Sequence, residues 1–258
     1  MVFTSSLDRR AFLYVAGTTA TTALAGCSRS DADEEAGDGP VLSPPENHGR
    51  VDAAAVPHPI YGEELPEATA PAPLHDRSVS TTEFVGERHV LLTFVFTSCT
   101  TVCPGLTAVL RRVQDDATER GYEDEVGFLA VTFDPEYDTA AVLESYGEDM
   151  RVDFDIGNWY FLRPETPGEA RAFVEETFGV AFERADGEAP GSAAGDEATD
   201  EHSGTDTARA DGDHDRHFVH SNLVLLANRN GLVERAYGGE PPNPATVVDD
   251  TRTVVDEW

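Results

Sequence analysis

The stretch that decides the fold is HVLLTFVFTSCTTVCP, His89 to Pro104. Its first nine residues, His89–Thr97, are an almost unbroken β-branched, aliphatic and aromatic run, the mark of a strand covered on both faces. Beyond it, Leu106, Val109, Leu110 and Val113 recur at helical spacing, so an amphipathic helix runs to about Gly121. Pro104 suits that helix's first turn, where its missing N–H costs little. Cys99 and Cys103 therefore sit where a buried strand hands over to a helix N-terminus. Unpaired N–H groups and the positive dipole end favour thiolate over thiol there. If the turn is helical, the i, i+4 spacing puts both sulfurs on one face, with Cβ atoms about 5–6 Å apart. That is near enough to share a metal ion or, after a small shift, to close a disulfide.

Downstream, Val126–Phe133 reads as a second buried strand, and Asp138 as the cap of a helix running through Met150. Trp159–Leu162 is a short strand. Pro167–Phe178 is a helix with Pro at its start and Gly179 at its end. Phe218–Ala227 and Leu232–Tyr237 are strands joined at Asn228–Gly231, where Asn-Gly is a strong hairpin signal. Residues 244–256 close the chain as a helix. This alternation predicts an α/β sandwich: a central mixed sheet with helices on both faces. Residues 186–216 interrupt it with ten acids, two Arg and no Val, Ile, Leu, Met or aromatic residue, so a disordered acidic surface insertion is expected. His202 and His214 in it, and His217 beside it, read mainly as solvated; His214 and His217 rival His220 as metal ligands, and a weak metal-capture role stays open. His48, His58, His75 and His89 follow no usable pattern.

The 258 residues carry 49 acids against 18 bases, all Arg with no Lys, for a net charge of -31. Such a surface repels phosphate backbones, so no nucleic-acid partner is expected. Acidity without Lys reads as adaptation to high salt, which screens self-repulsion. With 40% apolar residues the chain can build a core. At the N-terminus, Arg9-Arg10 precede an uncharged run, Ala11–Gly26, shorter than the roughly 20 residues of a membrane span. This is the pattern of a twin-arginine export signal. Leu24-Ala25-Gly26-Cys27 resembles a lipobox, with Cys27 as the lipidated first residue. The domain reading is therefore a signal peptide (1–26), a lipidated flexible tether (27–69) and one folded domain (70–258), set on the outer face of the cell membrane.

A strand, CxxxCP, an amphipathic helix, a strand ending Phe133-Asp134-Pro135-Glu136-Tyr137-Asp138, and a late His before a strand: together these resemble the Sco/SenC family over about residues 70–255. The resemblance implies a thioredoxin-like fold and a membrane-tethered copper protein that helps assemble the CuA centre of cytochrome c oxidase. It implies Cys99, Cys103 and His220 as copper ligands, and Cys99–Cys103 as a redox and disulfide pair. The implied partners are the copper-bearing oxidase subunit and an upstream copper donor or thiol reductant. The family often has Asp directly before the ligand His; here Val219 stands there, so whatever orients the ring comes from elsewhere. Two thiolates and an imidazole independently suit Cu(I) and can hold Cu(II), whereas a structural zinc site usually takes a fourth protein ligand. Asp134 and Asp138 read as a turn and a helix cap rather than catalytic carboxylates.

The competing function is a general extracytoplasmic thiol:disulfide oxidoreductase of thioredoxin type. Thioredoxins use CxxC with a nearby cis-Pro. This chain has CxxxC and no Pro from Gly191 to Gly239, with His220 at the matching place. A thiol peroxidase is disfavoured because no Pro lies between Pro73 and Pro104. For export and anchoring, Arg9→Lys with Arg10→Lys should trap precursor in the cytoplasm, and Cys27→Ser should release a folded domain from the membrane. Cell fractionation checks both; a Cys27→Ser protein that stays membrane-bound with an intact N-terminus would refute the lipoprotein reading.

Overall fold

The computed structural model describes residues 39–50, 52–185 and 217–258. The export signal, Cys27, His202, His214 and the 186–216 insertion lie outside them, as does the side chain of His217. In chain order the elements are β1 (Thr69–Ala72), β2 (Arg77–Ser80), β3 (His89–Val95), α1 (Cys103–Arg120), β4 (Val126–Thr132), α2 (Ala140–Asp149), β5 (Trp159–Leu162) and α3 (Pro167–Arg171). A π-helical turn, Ala172–Thr177, follows, then β6 (Phe182–Ala185), β7 (His217–His220), β8 (Leu223–Ala227), β9 (Val233–Gly238) and α4 (Pro244–Asp256).

Five strands make the central mixed sheet, in the order β5-β4-β3-β8-β9. β3 is parallel to β4 and β4 to β5, with α1 and α2 as the crossovers; β8 and β9 join antiparallel. Every residue of β3, β4, β5 and β8 is buried, as the continuous apolar runs require. α1 is held to α4 by Asp116, which accepts from Arg252 Nε at 2.8 Å and from the Tyr122 hydroxyl at 2.6 Å. Asn228–Gly231 makes the expected hairpin turn, with Gly231 at φ 78°.

Three expectations are corrected. The strand read over Phe218–Ala227 is two strands in different sheets: β8 joins the central sheet, while β7 pairs antiparallel with β6 in a separate ribbon. Ser221 and Asn222 break the run; the Ser221 N–H donates to the Ala181 carbonyl, and the Asn222 carbonyl accepts from Gly239. An apolar run does not reveal which sheet each half joins. Second, Thr139, not Asp138, caps α2, its side chain accepting from the Val142 N–H. Third, the described part of the supposed tether packs on the domain instead. Leu42 is buried, and the fully buried Glu234 accepts from the Val41 and Leu42 N–H groups at 2.7 and 2.9 Å. Residues 62–65 then hydrogen-bond to Gly231 and Val233, covering the start of β9's outer edge, which would otherwise present unpaired backbone. Between these, the chain passes so close to Gly179 that a Cβ there would lie 1.9 Å from the Pro57 carbonyl oxygen, and Gly179 has φ +66°. Sparse apolar residues suggested a spacer; backbone hydrogen bonds to a buried carboxylate and a sheet edge hold it down.

At the start of β3, His89 is fully buried, with neither ring nitrogen hydrogen-bonded among the described residues, and its ring meets Trp258 edge-on at 5.5 Å. Burial, aided by Arg229, pushes its pKa from 6.5 down to about 3, so the native state holds the neutral ring. The unfolded chain takes up the proton first. Stability is therefore complete above pH 6.5 and is lost as pH falls, by about 3 kcal/mol at pH 4. His89→Leu should flatten this acid limb. Denaturant titrations of both proteins from pH 7 to 4 at fixed salt measure it, and parallel curves would refute it.

Candidate metal centre

Where β3 ends, the chain turns through Thr97–Val102 before α1 begins at Cys103. The predicted i, i+4 juxtaposition is realised without a helical residue at Cys99: the Cys103 N–H points at Cys99 Sγ, 3.5 Å away. The sulfur thus takes one of the orphan donors of the α1 N-terminus. Across the site, Cys103 Sγ lies 3.6 Å from His220 Nε2. The ligand atoms of Cys99, Cys103 and His220 all lie within 4.8 Å of one another, the one His/Cys/Asp/Glu group of three or more placed to hold a metal among the described residues. Cys103 is fully buried and Cys99 is 9% exposed, with the two sulfurs unbonded.

The two thiols share protons unequally. Cys99 is held well below an ordinary thiol, first by the hydrogen bond from Cys103 and then by His220, against the opposing effect of burial. The same hydrogen bond, with burial, pushes Cys103 up. Cys99 is the thiolate side and Cys103 the thiol side of the pair.

His220 comes from the β6–β7 ribbon rather than from the central sheet. Phe133 and Phe96 flank its ring at 5.0 and 5.8 Å, and Phe218 packs on both at 5.3 and 5.0 Å. Phe182 of β6 stacks on Phe133 at 4.8 Å, and its N–H donates to Glu175 of the π-helical turn. The ribbon is thus seated on the domain by aromatic packing. Val219 leaves no carboxylate beside the ligand His; instead His220 Nδ1 lies 3.3 Å from the Ser221 carbonyl. A carbonyl only accepts, so Nδ1 carries a proton, and Nε2 is the ring nitrogen that faces the sulfurs.

The cysteine turn is held from below. Asp138, fully buried, accepts from the Thr97 N–H and hydroxyl and from the Thr132 hydroxyl, joining the ends of β3 and β4 under the site. Sequence reasoning missed this role because an Asp just before a helix reads as its cap. Asp134, in the preceding turn, is buried too. The other described histidines are not at the centre. His75 Nε2 contacts the Trp159 carbonyl, His58 Nδ1 the Pro59 carbonyl, and His48 packs on Tyr61. No described helix is long and apolar enough to cross a membrane.

A family model described as SCO1/SenC matches residues 74–256. A SCO1 protein homolog of Bacillus subtilis (strain 168) is 29% identical over 98 residues, which are 38% of this chain and 49% of that protein. The match thus spans about half the length of that curated relative. Among solved structures, yeast Sco1 with copper bound aligns with a TM-score of 0.53 at 18% identity, over 78% of this chain and 91% of that one. BsSco, a member of the Sco family of cytochrome c oxidase assembly proteins with a disulfide switch, aligns with a TM-score of 0.50 at 21% identity, over 77% of this chain and 96% of that one. At such identities the structural likeness establishes the fold, a thioredoxin-like mixed sheet flanked by helices.

Burial raises the Asp138 carboxyl from 3.8 to about 6, with the Thr132 and Thr97 hydrogen bonds opposing. The native state thus favours the protonated acid. This contribution is complete below pH 3.8 and is lost as pH rises through 6, by about 3 kcal/mol. Asp138→Asn has no such titration, so wild-type stability relative to the variant should fall by about that amount between pH 4 and 7. Denaturant unfolding at matched salt measures the difference; a pH-independent difference would show that Asp138 titrates normally.

Proposed function

We propose a function for this chain, which belongs to the SCO1/SenC family: it is a membrane-tethered, extracytoplasmic copper-binding protein that delivers copper to the CuA centre of a respiratory cytochrome oxidase, or keeps that centre's cysteines reduced. The observation that carries the reading is the convergence of Cys99 Sγ, Cys103 Sγ and His220 Nε2 within 4.8 Å of one another. Two soft sulfurs and one imidazole fit Cu(I), and among the described residues no fourth His, Cys or carboxylate joins the group, as a structural zinc site would ask. Copper is cargo here, so incomplete enclosure is an asset. His220 sits on a ribbon outside the central sheet, and Cys99 lies at the rim while Cys103 is buried. Supporting the oxidase role are two of the similar structures, one solved with copper and one belonging to a family of cytochrome c oxidase assembly proteins. Twin-arginine export and lipidation at Cys27 rest on the sequence pattern alone.

The unequal proton sharing of the cysteines favours a second use of the same site. The Cys99 thiolate can attack a partner disulfide, releasing one partner thiolate and forming a mixed disulfide. Cys103 then displaces the other partner thiol, leaving the Cys99–Cys103 disulfide and a reduced partner. The two uses are compatible, since only the dithiol form binds Cu(I).

The reduced soluble domain should take one Cu(I) per chain, and X-ray absorption should show two sulfur and one nitrogen scatterers. Cys99→Ser or Cys103→Ser should abolish tight binding; His220→Ala should weaken Cu(II) binding more than Cu(I) binding. Affinity should fall toward low pH, where thiols and imidazole hold their protons. A copper spectrum without sulfur, or full Cu(I) affinity in Cys103→Ser, would overturn the assignment and leave the oxidoreductase reading.

A further inference from the structure

Over the metal centre lies a recess of about 310 Å³ whose lining includes Cys99 and His220. Its apolar walls are Phe96, Val102, Phe218 and Val219. Val219 is 72% exposed, the most exposed large apolar side chain among the described residues, and it stands next to a metal ligand. Exposure of that kind at the mouth of a site suits a surface that another molecule covers.

Four polar side chains also line this recess, Ser98, Thr100, Thr101 and Asn222. Ser98 Oγ and Asn222 Oδ1 are both buried and have no hydrogen-bond partner among the described residues. The Asn222 amide nitrogen is committed, donating to the Gly239 carbonyl at 2.7 Å, which fixes the amide's orientation and leaves its oxygen as the unmatched group. Buried polar atoms are nearly always paired, so two orphans in one recess call for an occupant that supplies the missing partner. Asn222 Oδ1 can only accept, so that occupant must bring an N–H or O–H.

We infer that this recess receives the imidazole side chain of the metal's acceptor, its N–H donated to Asn222 Oδ1 and its second nitrogen turned to the metal. Among side chains, a neutral imidazole alone places a donor on one edge of a flat ring and a metal-binding lone pair on the other. The flat ring suits walls made by Phe96 and Phe218. Ser98, able to donate or accept, serves the backbone that carries the ring. Asn222 is thereby a positioning residue for transfer, bringing the acceptor's ligand to the metal while both thiolates still hold it. The inference rests on the copper reading above and extends it to the chemistry of the partner.

Free imidazole is the probe. The full soluble domain is loaded with Cu(II), copper and sulfur coordination are verified in the same sample, and imidazole is titrated while electron paramagnetic resonance follows nitrogen coupling. Wild type should gain a second coordinated imidazole nitrogen at millimolar or lower concentration. Asn222→Leu should bind it about tenfold more weakly, the loss of one buried hydrogen bond. Because that variant also loses the bond to Gly239, Ser98→Ala is measured beside it and should weaken binding less. Full copper loading through sulfur, with imidazole bound equally by wild type and both variants or not bound at all, overturns this inference alone. A domain that takes up no copper through its cysteines overturns the functional reading and this inference together.

Discussion

A single buried carboxylate ties the working end of this domain together. Asp138 lies beneath the point where β3 and β4 end, and accepts from Thr97, in the turn just after β3, and from Thr132, the last residue of β4. A charge with no cationic partner is costly in such a place, and the upward shift of its pKa records that cost. What offsets it is geometry. The Thr97 backbone is fixed two residues before Cys99, so the turn that carries the first sulfur leaves the sheet in one direction. The helix that starts with the second sulfur follows from that direction.

The third ligand obeys a different constraint. His220 belongs to a two-stranded ribbon separate from the central sheet, and what seats it is the packing of Phe96, Phe133, Phe182 and Phe218. Aromatic clusters of this kind contribute through area and ring geometry and are less directional than a strand ladder. A metal held by Cys99, Cys103 and His220 would clasp the ribbon to the sheet, and its departure would leave the ribbon held by aromatic packing and by the Phe182–Glu175 hydrogen bond. A carrier that must both hold and release its ion benefits from ligands on two such differently secured elements.

The electrostatic layout separates surface from site. The chain's net charge is -31, while the recess over the metal centre is lined, besides its ligands, by Phe96, Phe218, Val102, Val219 and uncharged polar side chains. The segment ahead of β1 adds a structural use of the same chemistry. Glu234 is buried not for charge but as an acceptor of two backbone N–H groups and the Asn228 amide, which pins the incoming chain across the edge of the sheet.

The sequence by itself determined the strands β3, β4 and β5, the helices, the hairpin at Asn228–Gly231 and the pairing of Cys99 with Cys103. Each is local: a period, a cap, a turn residue or a spacing of four. His220 was reachable only through a family resemblance, because 117 residues separate it from Cys103 and no periodicity links the two. Tertiary structure alone decided that Phe218–Ala227 is two strands in two sheets, since an apolar run carries no label for its neighbour. It also turned Asp138 from a cap into a buried acceptor, docked Val41, Leu42 and residues 62–65 on the domain, and left Ser98 and Asn222 unmatched over the site. All four depend on which distant groups meet a backbone or side-chain hydrogen-bonding site, and that is set by the packing of the whole domain rather than by any window of the chain.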